Sequence, residues 1–307
     1  CIFKVSDPSL PRLVGQIKAY DDQQDYALHL FKEGPLVYVA DETHGVVIYD
    51  VERPDRPERR GRIPVSYAEA VWVRNDRAYV AAGNSGLQIY DVSDPTTPTF
   101  VGSVPKLSFT SDVQVVEGAT GSGLYAYVTE RLSGLRVIDV TDPSNPQRVT
   151  VKATLGQAYD LGVVDHYALV AERGTSGHVQ VYDLCDPRSP QLVRTYDASS
   201  PVSGVYASGP VLYLAENDRG LQIIDPGLSE APARCAGSGP VTVDYNYLGE
   251  PPETVTVTVQ VALQGRGQSP SSRWRARLAV DLTAEGVGHR TYAGTCDEYG
   301  RLQVSGI

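Results

Sequence analysis

The chain has no methionine and, among 307 residues, only two tryptophans, four phenylalanines and four cysteines. Each scarcity removes a class of protein. The cysteines, Cys1, Cys185, Cys235 and Cys296, form no CxxC pair and show no zinc-like spacing, so thiolate zinc sites are not expected. No apolar run approaches the roughly 18 residues of a membrane-crossing helix. Positive charge is also short: 27 lysines and arginines against 37 acidic residues give a net charge of −10. That balance disfavours phosphate backbones and anionic membranes, and nucleic acid is not an expected partner. Phosphate-cradling glycine loops and dinucleotide fingerprints are absent too.

The five histidines, His29, His44, His166, His178 and His289, fall at unrelated positions, so none is set beside a repeated serine or cysteine as a catalytic base. Without an initiating methionine or a signal peptide, the chain reads as a mature product or a fragment. Cys1 suits a lipidated N-terminal cysteine, but alignment with the repeat below places it inside a strand, and a chain cut within a repeat is the simpler expectation. Cys235 and Cys296 read equally well as a bridge or as free thiols.

What remains is rich in turn and strand formers: 29 glycines, 21 prolines and 19 tyrosines, with abundant valine. A Pro-x-x-Pro signature recurs at Pro8/Pro11, Pro54/Pro57, Pro95/Pro98, Pro143/Pro146 and Pro187/Pro190, at steps of 46, 41, 48 and 44 residues. A period in this range decides the fold. An aspartate closes the strand before most copies, at Asp50, Asp91, Asp139 and Asp183, and again at Asp225. Proline fixes φ and removes a donor while aspartate accepts turn amides, so the tetrad ends a strand and reverses the chain.

Each unit reads as four strands: an inner one ("AVWV", "DVQVV", "DLGVV"), a second ("RAYVAA", "YAYVTE", "YALVAE"), a third ("GLQIYDV") and an outer fourth ("FVGSV"). Short strands with apolar residues on both faces describe propeller blades. The 3.6-residue period of a helical solenoid is missing, as is the Gly-His and Trp-Asp pattern of WD40 repeats. The expected fold is therefore all-β: a propeller of about five four-stranded blades over residues 1–235. Residues 1–17 supply only the last two strands of a unit, and the strand at Leu13 to Ile17 is expected to complete the last blade. A sixth blade is the alternative. Beyond residue 236 the repeat stops and alternating segments such as "TVTVTVQVALQ" point to a small immunoglobulin-like β-sandwich over 236–307, truncated or complete.

The segments "GLQIYDVSDPTTP", "GLRVIDVTDPSNP" and "HVQVYDLCDPRSP", with the preceding "AYVAAGNSG", resemble the LVIVD repeat of bacterial and archaeal surface or secreted proteins. The resemblance covers roughly residues 1–226. It implies a β-propeller and an extracellular or cell-surface location, and it carries no catalytic residues to transfer.

Stacking the inner strands places Asp25, Glu69, Asp112 and Asp160, with Tyr26 and Tyr159, around the mouth of a central channel, the usual ligand position in propellers. Carboxylates and tyrosines there suit a cationic or polyhydroxyl ligand. No cofactor is expected, calcium being the one metal such oxygens could hold; capped strand ends that bind only water are the structural alternative. A second carboxylate series, Asp41, Glu130, Glu172 and Glu216, follows the second strands and is expected to accept local turn amides. The functional expectation is a non-catalytic binding or scaffold module for a carbohydrate or protein ligand. A polysaccharide hydrolase using paired carboxylates in the same funnel is the alternative.

Overall fold

The computed structural model describes residues 1–6, 9–17, 26–118, 123–164, 166–174, 177–208 and 211–224, together with the strands at 241–243, 257–262, 277–281, 294–296 and 302–304. The described residues contain no helix. The chain divides into two compact units, Cys1–Ala231 and Pro232–Ile307.

The first unit is a five-bladed β-propeller. Blade 1 comprises β3 (Ala27–Glu33), β4 (Leu36–Asp41), β5 (Gly45–Asp50) and β6 (Glu58–Ile63); blade 2, β7 (Ala70–Arg74), β8 (Arg77–Ala81), β9 (Leu87–Asp91) and β10 (Thr99–Val104). Blade 3 comprises β11 (Thr110–Glu117), β12 (Leu124–Glu130), β13 (Gly134–Asp139) and β14 (Gln147–Lys152), and blade 4 β15 (Gln157–Val164), β16 (Tyr167–Arg173), β17 (His178–Asp183) and β18 (Gln191–Asp197). Blade 5 contributes β19 (Val202–Ser208), β20 (Val211–Glu216) and β21 (Gly220–Ile224). Strands pair antiparallel in sequence order within every blade.

The second strands explain why the blades stack. In β8, Ala78 and Val80 join the core shared with blade 1, while Tyr79 and Ala81 join the core shared with blade 3. Successive side chains point to opposite faces of a strand, so a strand buried on both faces must be apolar throughout. The same division gives a core between blades 3 and 4 around Tyr125, Tyr127, Leu161 and Tyr182, and another between blades 4 and 5 around Leu169, Val181 and Leu214. Each fully buried leucine, isoleucine or valine contributes about 1.5–3 kcal/mol.

The Asp-Pro turns adopt the chemistry their sequence demands. Asp91 Oδ1 accepts the Ser93 amide at 2.9 Å and Asp94 Oδ1 accepts the Thr96 amide at 2.9 Å. The pairs Asp139–Thr141 and Asp142–Ser144 repeat this at 3.0 Å each, as do Asp183–Cys185 at 2.8 Å and Asp186–Arg188 at 2.9 Å. Each turn therefore holds two consecutive side-chain-capped bends, which fix where the outer strand begins.

The N-terminal strands differ from the sequence expectation. β1 (Ile2–Lys4) and β2 (Arg12–Gly15) form a hairpin of their own, and among the described residues β2 pairs with β1 and not with blade 5. A Cβ on Gly15 would lie 1.8 Å from the Pro54 carbonyl oxygen; on Gly61 it would lie 2.0 Å from that of Pro95, and on Gly102 2.3 Å from that of Pro143. These fourth-strand glycines each lie against the proline turn of the following blade. The hairpin thus takes the place of third and fourth strands ahead of blade 1. Consistently, Leu28 and Leu30 on blade 1 and Leu221 and Ile223 on blade 5 stay exposed.

The strands of the second unit are Val241–Val243, Val257–Ala262 and Arg277–Asp281 in one antiparallel sheet, with a hairpin of Gly294–Cys296 and Leu302–Val304.

The approach of Gly102 to Pro143 leaves no room for a methyl group. Gly102→Ala is expected to destabilise the propeller by about 1–3 kcal/mol, the usual cost of overpacking, read as a lower midpoint in chemical denaturation. An unchanged midpoint would mean that the blades separate freely at this contact.

Candidate functional site

The inner strand of each blade is paired along one edge only, which leaves backbone amides facing the neighbouring blade. Side chains from the preceding blade meet them. Asp112 Oδ2 on β11 accepts the Leu161 amide of β15 at 2.9 Å, and Asp160 Oδ2 on β15 accepts the Val205 amide of β19 at 2.6 Å. Gln114 spans the same gap, accepting from the Val163 amide at 3.0 Å and donating to the Leu161 carbonyl at 2.6 Å. His29 on β3 accepts the Val71 amide of β7 through Nδ1 at 3.4 Å, and its burial lowers its pKa. Unpaired buried amides are costly, so these contacts are structural links between blades.

Asp112, only 3% exposed, and Asp160 also hydrogen-bond each other. Burial pushes both carboxyls up, to about 7, and for Asp160 the neighbouring Asp112 charge adds to the shift. The pair holds a proton near neutrality because two adjoining buried carboxylates cannot both ionise cheaply. Direct contact also fits poorly with glycoside hydrolysis, which needs carboxyl groups about 5–9.5 Å apart.

The second carboxylate series is likewise engaged, though mostly not with the turn that follows it. Glu130 accepts the Ser108 amide at 2.9 Å and pairs with Arg136 at 2.5 Å; Glu172 accepts the Gly156 amide; Glu216 meets Ser200 Oγ at 3.3 Å. Ser108, Gly156 and Ser200 all lie in the linkers leading into inner strands, so these carboxylates hold the chain as it crosses from blade to blade. Asp41 alone behaves as the sequence suggests, accepting the Thr43 and His44 amides of its own turn at 3.1 and 3.0 Å.

Around the mouth, Glu69 and Tyr159 lie within a band of aromatic rings and guanidinium groups. Tyr67 bonds Glu42 and meets Phe109 edge-on at 5.8 Å; the Arg131 guanidinium lies 3.9 Å from the Phe109 ring centre and 5.4 Å from that of Tyr159; Arg173 lies 3.2 Å from Tyr159. Glu69, 7% exposed, pairs with Arg131 at 3.3 Å, and Arg131 also donates to Ser111 Oγ at 3.1 Å. Burial raises the Glu69 carboxyl and Arg131 opposes the rise. On the same face Leu132 is 82% and Leu155 68% exposed.

Of the residues singled out in the sequence, Asp112 and Asp160 come together inside the channel, while Glu69 and Tyr159 join the mouth through Arg131. Tyr26 is exposed at the start of blade 1, its carbonyl taking the Glu42 amide at 3.1 Å, and Asp25 lies outside the described residues. Tyr67, Phe109, Leu132, Leu155, Arg131 and Arg173 were not anticipated. The two arginines do have a sequence signal: both follow a carboxylate of the second series, in "TER" and "AER".

His166, Asp183 and Cys185 place donor atoms within 4.8 Å of one another. Cys185 is disulfide-bonded, and a disulfide sulfur is not a thiolate ligand. Cys1 is free and exposed, and Cys235 and the Cys296 side chain lie outside the described residues.

The carboxyl pair makes a pH prediction. Asp112 and Asp160 bind protons more tightly folded than unfolded, so their contribution is present at low pH and is lost as the pH climbs through about 7. Folding stability is expected to fall by about 1 kcal/mol per pH unit between pH 5 and 7 and then level. Asp160→Asn keeps an acceptor for Val205 and removes the titration, so its profile is expected to be flatter; parallel profiles would show that the pair does not titrate as described.

The LVIVD repeat family model matches residues 66–105 and 111–152, which are blades 2 and 3 with their linkers. No curated protein matches the chain in sequence. Among solved structures, a chain of a nidogen/laminin complex superposes with a TM-score of 0.51 at 13% identity, covering 67% of this chain and 78% of its own. Sqt1 of Saccharomyces cerevisiae gives 0.52 at 8% identity, covering 84% and 86% respectively. Both are likenesses of fold. The repeated blades, the paired Asp-Pro turns and the family match identify residues 66–152 as LVIVD repeats within a five-bladed β-propeller.

Proposed function

We propose that the chain is an extracytoplasmic, non-catalytic binding module whose ligand is a protein, docked on the face where the interblade linkers meet the turns between second and third strands. The observation that carries this reading is the composition of that face. Tyr67, Phe109 and Tyr159 stand beside Arg131 and Arg173, with Leu132 and Leu155 exposed among them. Aromatic and arginine side chains dominate protein-interface energetics.

The inner carboxylates speak against the hydrolase and carbohydrate readings, since Asp112 and Asp160 are engaged with neighbouring backbone and with each other. The nidogen/laminin chain, a relative in fold, belongs to an assembly between proteins. The Cys185 disulfide supports an oxidising compartment, and with it a surface or secreted location. The second unit, in this reading, is an immunoglobulin-like sandwich over 236–307.

A photo-crosslinking amino acid at Leu132 is expected to capture a specific protein on the cell surface. The same probe at Thr96, in an exposed Asp-Pro turn at the other end of the strands, is expected to capture none. Phe109→Ala is expected to weaken the recovered complex by about thirtyfold, the lower bound for an interface anchor. Equal capture from both positions would sink the assignment of this face.

A further inference from the structure

Arg131 and Arg173 share the Tyr159 ring but differ in what holds them. Arg131 is satisfied by Glu69 and Ser111. The Arg173 side chain, half-buried and 3.2 Å from the ring centre, feels the Glu69 charge but makes no ion pair or hydrogen bond among the described residues, and its Nε is buried without a partner. Glu172, its neighbour in sequence, is turned inward onto the Gly156 amide. A guanidinium carries five donors in a planar fork that matches a carboxylate, and leaving a buried part of it unpaired is unfavourable.

We propose that Arg173, held over the Tyr159 ring, is a carboxylate-recognition site for an acidic side chain of the protein partner, with Leu132 and Leu155 receiving apolar residues beside it. The site rests on the protein-binding reading of this face and names its chemistry. The fork takes both carboxylate oxygens, and packing over Tyr159 restrains the guanidinium so that less freedom is lost on binding. Arg131 adds positive potential across the ring without giving up Glu69. The net charge of −10 repels an acidic segment at long range, so recognition here acts at contact and speed of encounter is not enhanced.

The test uses the whole chain and a fluorescent peptide of alternating glutamate and leucine, acetylated and amidated so that every carboxylate is a side chain. The wild-type protein is expected to bind it at low ionic strength and to bind the matching glutamine–leucine peptide at least tenfold more weakly. Arg173→Ala is expected to lose about tenfold in affinity, and Arg173→Lys to lose most of that, because a point charge does not replace the fork. Circular dichroism and melting temperature of both variants confirm that the blades are intact. Indifference to Arg173→Ala, equal binding of the glutamine peptide, absence of binding, or tighter binding of oligogalacturonate than of peptide would each overturn the proposal. If crosslinking from Leu132 still captures a protein in that case, the docking face stands and the carboxylate site alone falls.

Discussion

A strand at the rim of a sheet carries amides with no partner, and in a propeller that rim is the inner strand of every blade, packed where water cannot serve it freely. The rest of this molecule follows from how those amides are met. Asp112, Asp160, Gln114 and His29 each reach from one blade to the backbone of the next. Their chemistry varies and their task does not. This is why the inner positions look variable in an alignment of the repeats: any acceptor of suitable reach serves, whether carboxylate, amide or imidazole.

The blade itself was legible in the sequence because its signals are local. Asp91, Asp94, Pro95 and Pro98 fix a turn through bonds to residues two positions away, and such bonds survive in a linear reading. The alternation in β8 likewise announces burial on both faces. The roles of Asp112 and Asp160 were not legible, since each depends on an amide 45 or more residues downstream that only interblade packing brings near. Phe109 and Leu155 sit in linkers, outside the aligned strands, so stacking the repeats could not reveal them. The place of the N-terminal hairpin turned on Gly15 fitting against Pro54, a contact that a pairing pattern does not encode.

Structure and the proposed binding surface are therefore divided along the same strands. Asp112 and Asp160 of the first series and Glu130 and Glu172 of the second are consumed by the frame, while the residues next in sequence to the latter two, Arg131 and Arg173, come out at the mouth. The frame sets the arginine positions through the carboxylates that precede them. A surface built this way can change its outer residues without disturbing the links between blades.

The links between inner strands also have a direction. Wherever an inner-strand amide is met in this way, the acceptor belongs to the earlier blade and the amide to the later one. A chain emerging from the ribosome thus offers each new inner strand an acceptor already in place, and growth of the array proceeds from its beginning toward its end. The two ends are consequently unequal: removing the last blade frees a side chain that can turn toward water, whereas removing the first strips an acceptor from backbone that cannot.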